Sequence, residues 1–248
     1  MAARIVLVTG GAKGIGRGVS ESFLAQGATV IACGREAPAQ LPRAEGRSAD
    51  FMACDVRDRA AVDALFAAIA SKHGRLDVLV NNAGGAPFAP ADKASPRFHD
   101  AIFALNLAAP LYCAQQANAL MQAQAEGGVI LFIASVAALR PSPGTAAYGA
   151  AKAGIVSLTG SLAVEWAPKV RVVAVSPGLV RTEQSAQHFG DDAARTVPAG
   201  RLAEPGEIGA ACAWLASPAA AYASGSNLVM HGGGERPAFL DTDRKGGA

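Results

Sequence analysis

Tyr148 and Lys152, in "YGAAK", stand four residues apart and share one face if the segment is helical. A free phenol has a pKa of about 10, too high for easy proton transfer at neutral pH. Bringing it to about 7 takes roughly 4 kcal/mol of differential stabilisation of the phenolate. An ammonium about 4 Å away supplies that much at an effective dielectric of about 20. The pair is therefore sufficient to make Tyr148 a general acid/base. Taken alone it reads as readily as a surface helix on which a tyrosine and a lysine sit together.

A second constellation is "TGGAKGIG", Thr9 to Gly16, with four glycines in eight residues between an apolar run and a helical pattern. Glycine permits positive φ and lets a ligand approach the backbone with no Cβ in the way. The helix that follows offers unpaired N–H groups and a positive dipole end, which suit a pyrophosphate. The spacing of Gly10, Gly14 and Gly16 is G-x-x-x-G-x-G, looser than the G-x-G-x-x-G dinucleotide fingerprint. On its own such a cluster can be an ordinary tight turn. Lys13, set between the glycines, is a cation where an anion is expected.

These residues need a scaffold, and the rest of the chain supplies its pattern. "RIVLV", "ATVIAC", "DFMAC", "LDVLV", "GVILFIA", "VRVVAVS" and "SNLVM" read as strands. Alanine-rich segments of helical periodicity lie between them, such as Asp58–Lys72 and Tyr148–Trp166. Several runs are continuously apolar, as strands covered on both faces must be. Strands separated by helix-length segments favour right-handed crossovers and a parallel sheet. The expectation is one doubly wound α/β (Rossmann) domain over residues 1–248, with about seven parallel strands and helices on both faces. Ligands bind such sheets beyond the carboxyl ends of the strands. There the sequence places "TGGAKGIG", "GRE", "DVRD", "NNAGG", "SVAALRPSPG" and "PGLVRTE".

Composition excludes other classes. Of 248 residues 51% are hydrophobic and 17% charged, enough for a core and against disorder. The net charge of +2 comes without a basic block, which argues against a nucleic-acid partner. The stretch around "GGVILFIASVAAL" is too short to span a bilayer, and "MAARIVLVTGG" lacks the parts of a signal peptide. A cytoplasmic protein with no membrane partner is expected. Cys33, Cys54, Cys113 and Cys212 are scattered among apolar neighbours and read as buried thiols. The four histidines show no ligand spacing, so no metal is expected.

Together, Gly10-x-x-x-Gly14-x-Gly16, "NNAG" at Asn81–Gly84, Asn106, Ser135, Tyr148, Lys152 and "PGLVRT" from Pro177 carry a resemblance. From about Ile5 to Gly233 the chain resembles the short-chain dehydrogenase/reductases of the ordinary 250-residue type, and is similar to their 3-oxoacyl-thioester reductase-like members. The resemblance implies that Tyr148 exchanges a proton with the carbonyl or alcohol oxygen while hydride moves to or from a nicotinamide. Ser135 would hydrogen-bond that oxygen. Lys152 would lower the tyrosine pKa and bind the nicotinamide ribose. Asn106 would hold a water linking Lys152 to solvent, with Pro110 helping to break its helix. Gly10, Lys13, Gly14, Ile15 and Gly16 would form the pyrophosphate loop, and Asp55 and Val56 would meet the adenine. Asn82, Ala83 and Gly84 would line the adenosine ribose, and Pro177, Gly178, Val180 and Thr182 the nicotinamide.

In dinucleotide folds an acid at the end of the second strand binds the ribose diol and selects NAD. The equivalent position here is Gly34, followed by Arg35. Arg35 and Lys13 offer donors for a 2′-phosphate, while Glu36 is expected to point away. NADP(H) is therefore expected over NAD(H). The function that follows is an oxidoreductase interconverting a small-molecule ketone and a secondary alcohol; the alternative is a catalytically silent NADP-binding regulator. The four-residue step from Tyr148 to Lys152 argues against enoyl-thioester reduction. The substrate walls, Gly85–Pro90, Val136–Gly144 and Glu183–Gly200, leave a 3-oxoacyl thioester, a cyclic or steroid ketone and a sugar-derived ketone open. A homotetramer is expected from the resemblance and from the apolar faces of "AAVDALFAAIA" and the segment after Tyr148. Gly18 should weaken the first helix slightly. "HGG" at His231–Gly233 replaces the family's usual "DGG", and a tail at 235–248 follows.

Overall fold

Each of the seven apolar runs forms a strand of one sheet in the computed structural model, which describes residues 3–183, 185 and 191–234. In chain order the elements begin with β1 (Ile5–Thr9), α1 (Gly14–Ala25) and β2 (Thr29–Gly34). A two-residue hairpin, β3 (Arg43–Ala44) and β4 (Arg47–Ser48), leads to β5 (Asp50–Ala53), α2 (Arg59–His73) and β6 (Val78–Asn81). Next come α3 (Pro96–Phe103), α4 (Ala109–Ala123), β7 (Gly128–Ile133), α5 (Ala146–Glu165) and β8 (Val170–Pro177). The described chain closes with α6 (Pro205–Leu215) and β9 (Asn227–Met230).

The sheet order is β5-β2-β1-β6-β7-β8-β9, and every neighbouring pair is parallel. The chain winds outward from β1 to β5, then returns to β6 on the other side of β1. This reversal is the Rossmann switch point, and it opens a crevice at the carboxyl ends of β1 and β6. Side chains alternate across the sheet: Ile5 and Leu7 join the core cluster with α2, α4 and α5, while Val6 and Val8 join the one with α1 and α6. Both faces are covered, which is why β1 is buried at all five positions.

Three local details differ from simple expectation. Between β2 and β5 no helix forms; Pro38 and Pro42 interrupt the segment, and the hairpin turns at Glu45 and Gly46, both at positive φ. Gly18 is a packing requirement: a Cβ there would stand 2.4 Å from the Pro205 carbonyl, and one on Gly209 2.3 Å from the Gly18 carbonyl oxygen. These two glycines let α1 and α6 touch backbone to backbone, so the propensity lost at Gly18 is offset by contact. Finally, the apolar face of α2 (Val62, Leu65, Phe66, Ile69) is buried in the chain's own core. It is not free for a subunit contact, because the sheet needs that cover. Among the described residues no helix is long and apolar enough to cross a membrane. All four cysteines are buried and free. The tail at 235–248 lies outside the described residues.

Candidate active site

The loops after β1, β2, β5, β6, β7 and β8 converge on one cleft of about 640 Å³. Its floor is the glycine loop. Gly10 sits at φ +62° beneath Ala83, and its N–H donates to the Cys33 carbonyl at 2.8 Å. A Cβ on Gly16 would lie 2.1 Å from the Gly10 carbonyl oxygen and 2.5 Å from Asn82 Nδ2, so the loop closes only on glycine. Lys13 is the N-cap of α1 in extended backbone, with no side-chain cap and no acid in the first turn. The N–H groups at this helix start are left for an anion.

Thr9, which sequence reasoning missed, ties the loop to the end of β6. Its buried hydroxyl accepts from the N–H groups of Asn82 and Ala83 at 2.9 and 3.0 Å. Asn82 answers by donating its side-chain amide to the carbonyls of Thr9 and Gly10 at 3.0 and 3.2 Å. The signal in the sequence was a hydroxyl residue at the very end of a buried strand.

Charges gather where β2 and β5 end. Lys13, Arg35 and Arg57 all line the cleft and are exposed. Arg57 is the second residue missed. Its Nε and Nη2 clamp the Asp55 carboxylate at 3.0 and 2.6 Å, and its backbone N–H donates to Asp55 Oδ1 at 3.0 Å. These Arg57 bonds, opposed by partial burial and assisted by Arg35, hold the Asp55 carboxyl down at about 2. An arginine two residues after the strand-end acid in "DVRD" was the available clue. Glu36 also borders the cleft, where the chain bends at Arg35–Glu36.

The chemistry-bearing group lies after β7, on the other side of the glycine loop. Ser135 caps the short turn Val136–Ala138, its hydroxyl accepting from the Ala137 N–H at 3.1 Å. Tyr148, half-buried near the start of α5, lines the cleft with Ser135. Burial raises the Tyr148 pKa above its ordinary value of 10, with the Ser135 hydroxyl pulling the other way. Lys152 is one turn on, 3% exposed, and donates to the Ile133 carbonyl at 2.7 Å. Its Nζ stands 5.6 Å from the Tyr148 ring centroid, and desolvation pushes its pKa down to about 8. Burial, rather than the lysine charge, sets the direction of the tyrosine shift.

Asn106 sits fully buried in a five-residue π-turn, Ala104–Ala108. Pro110 has no N–H to give the Asn106 carbonyl, which breaks the α-helical ladder there. The Asn106 side chain donates one turn back to the Ile102 carbonyl at 3.0 Å. It also exchanges two bonds with the backbone of Gly85, at 2.8 and 2.9 Å. A Cβ on Gly84 would meet both Asn106 Oδ1 (2.7 Å) and Lys152 Nζ (3.3 Å). Helix break, lysine and "NNAG" loop therefore meet at one point.

Ile15, Gly34, Val56, Pro177, Gly178 and Thr182 also line the cleft. Gly16 and Val180 do not line it, and the Val180 side chain is buried in the core. The Gly178 position abuts His231, 3.0 Å from where a Cβ would stand. A glycine cradle at a helix start, cations beyond it and a buried lysine farther along fit a nicotinamide dinucleotide.

The comparisons with known proteins agree with this arrangement. The family model described as "Enoyl-(Acyl carrier protein) reductase" matches residues 10–235. A D-threitol dehydrogenase of Mycolicibacterium smegmatis is 40% identical over 241 residues, which cover 93% of this chain and 92% of that one. The chain belongs to the short-chain dehydrogenase/reductase family. A 3beta-hydroxysteroid dehydrogenase 1 of Eggerthella lenta is 35% identical, with 93% of each chain covered. The solved Thermoplasma acidophilum aldohexose dehydrogenase superposes with a TM-score of 0.86 at 28% identity, covering 93% of each chain. The relatives are dehydrogenases and reductases, and this chain shares their scaffold and general reaction class.

Proposed function

We propose that this family member is an NADP(H)-preferring oxidoreductase that interconverts a ketone and a secondary alcohol, with Tyr148 as the general acid/base. The observation that carries the reading is that Ser135, Tyr148 and a buried Lys152 line one cleft whose floor is a glycine loop. Bound NADPH supplies a hydride. Tyr148, kept protonated by burial, gives its proton to the carbonyl oxygen, and Ser135 holds that oxygen by a second hydrogen bond. Lys152 has donor capacity beyond its Ile133 bond for the nicotinamide ribose hydroxyls. Asn106, whose carbonyl lacks the Pro110 donor, is placed to accept from a water on the way from Lys152 to solvent.

Lys13 and Arg35 suit a 2′-phosphate, and Gly34 brings no carboxylate to repel it. Arg57 supports this choice by pairing the cleft acid Asp55, while Glu36 opposes it. Self-association belongs to the same reading. With α2 covered, the exposed large apolar side chains among the described residues include Val164, Trp214 and Tyr222, and a homotetramer would bury such faces. A light-scattering mass near 25 kDa at micromolar concentration would remove that part.

The test is cofactor-linked absorbance against a panel of ketones and alcohols, run in both directions with NADPH and NADH. Turnover with preference for NADPH supports the reading. Tight NADPH binding with no turnover of any compound would favour a silent cofactor-binding regulator on the same scaffold.

A further inference from the structure

We propose that Glu183 holds down the affinity for the dinucleotide, because its carboxylate rests against the start of α1, where the pyrophosphate is expected. This rests on the cleft being the dinucleotide site. The loop after β8 brings Glu183 there, and it lines the cleft together with Lys13, Gly14 and Ile15. Glu183 Oε2 lies 3.8 Å, and Thr182 Cγ2 3.2 Å, from the place a Cβ on Gly14 would take. Gly14 is the first residue of α1 and sits at φ +48°, so the acid meets bare backbone.

The turn that carries the acid is fixed. The Thr182 N–H donates to Ser185 Oγ at 2.8 Å, and the Ser185 N–H to Thr182 Oγ1 at 3.0 Å. The Arg181 N–H donates to the Ala203 carbonyl at 2.8 Å, and its guanidinium pairs with Glu204 at 2.9 Å. Among the described residues no ion pair neutralises Glu183. For its part, α1 has no side-chain cap and no acid in its own first turn. Its positive end therefore attracts an acid from elsewhere in the chain.

Charge decides the consequence. Among the described residues the acids lining the cleft are Glu36, Asp55 and Glu183. Asp55 is paired with Arg57, and Glu36 follows Arg35 after β2, at the end where a 2′-phosphate is expected. Glu183 is the acid at the start of α1. A dinucleotide arriving there takes the carboxylate's place at the helix dipole and then stands beside a like charge. Both effects weaken binding. They also speed release of the cofactor, a step that limits turnover in many enzymes. Glutamine keeps the shape of the side chain and removes both effects.

The experiment titrates NADPH and NADH by nicotinamide fluorescence, at low salt and without substrate, into wild type, Glu183→Gln and Glu36→Gln. Glu183→Gln should tighten both cofactors roughly five- to tenfold and by the same factor, because the pyrophosphate is common to them. The gain should shrink to about twofold or less at about 0.5 M salt. Glu36→Gln should instead tighten NADPH more than NADH, since that acid stands at the 2′-phosphate end. Unchanged or weaker binding of both cofactors to Glu183→Gln overturns the inference and leaves the oxidoreductase reading intact. So does a gain confined to one cofactor, which would put Glu183 at the ribose end. Equal gains from the two variants on both cofactors would make the effect one of net charge and overturn it as well. Binding of neither cofactor to any of the three proteins overturns the cofactor reading and this inference with it.

Discussion

Beneath the end of β7 the cleft holds a lysine that is 3% exposed, bonded to a backbone carbonyl and pushed down to about 8. Beyond β2 and β5 it holds Lys13, Arg35 and Arg57, all in solvent, with Asp55 and Glu36 among them. The first end has one charge in low dielectric, where its interactions are strong and geometry decides them. The second has several charges in high dielectric, each screened and each worth little alone. One substitution should therefore disable the catalytic end, whereas the cofactor-selecting end should respond in graded steps.

The largest effect is expected from Tyr148→Phe, which removes only the transferable proton. Turnover should fall about a hundredfold or more while cofactor affinity, read by fluorescence titration, changes little. Retention of more than about a tenth of the rate would take the acid/base role from Tyr148. The raised pKa of this tyrosine also fixes a pH signature. Alcohol oxidation needs the phenolate, so its kcat/KM should climb about tenfold per pH unit above neutrality, while carbonyl reduction stays flat. A flat oxidation profile would mean that burial does not hold the proton on.

Lys152→Met tests the burial argument itself. Turnover and cofactor affinity should both drop, yet Tm at pH 7 should rise. A pKa held at about 8 against 10.5 opposes the charged form by about 3 kcal/mol. Losing the Ile133 hydrogen bond takes back about 1 kcal/mol. The penalty acts where the lysine is charged, so the unfolded chain binds more protons between the two pKa values and wild-type stability rises with pH there. The advantage of Lys152→Met should accordingly shrink above pH 8. A lower Tm at pH 7 would show that the lysine is a structural support.

At the exposed end the changes are smaller. Gly34→Asp with Arg35→Ala should shift the NADPH-to-NADH ratio of kcat/KM at least about tenfold toward NADH. The position tolerates a side chain, since a Cβ there meets nothing nearer than Phe51 at 3.7 Å. Arg57→Ala should weaken NADPH binding only about two- to fivefold, and less at high salt, because the pair it breaks is partly exposed. A salt-independent loss much larger than this would place Arg57 in direct contact with the cofactor.

What could be read before folding follows the same division. Glycine spacing, the i,i+4 relation of Tyr148 and Lys152 and the run of β-rich segments are local, and the structure displays each of them. Arg57 and Thr9 were missed because their partners are a carboxylate on a turn and two N–H groups 73 and 74 residues away. The Gly18 cost was seen without its compensation, since Pro205 and Gly209 lie far along the chain.

The sequence by itself determined the run of strands along the chain, the glycine loop and the shared face of the tyrosine and lysine, because short-range periodicity and steric freedom suffice for these. Only the tertiary structure decided that the Tyr148 pKa rises, that Asn106 joins the "NNAG" loop and that Glu183 lies against Gly14. Those outcomes depend on burial and on which distant backbones meet, and neither is a property of a residue's neighbours in sequence.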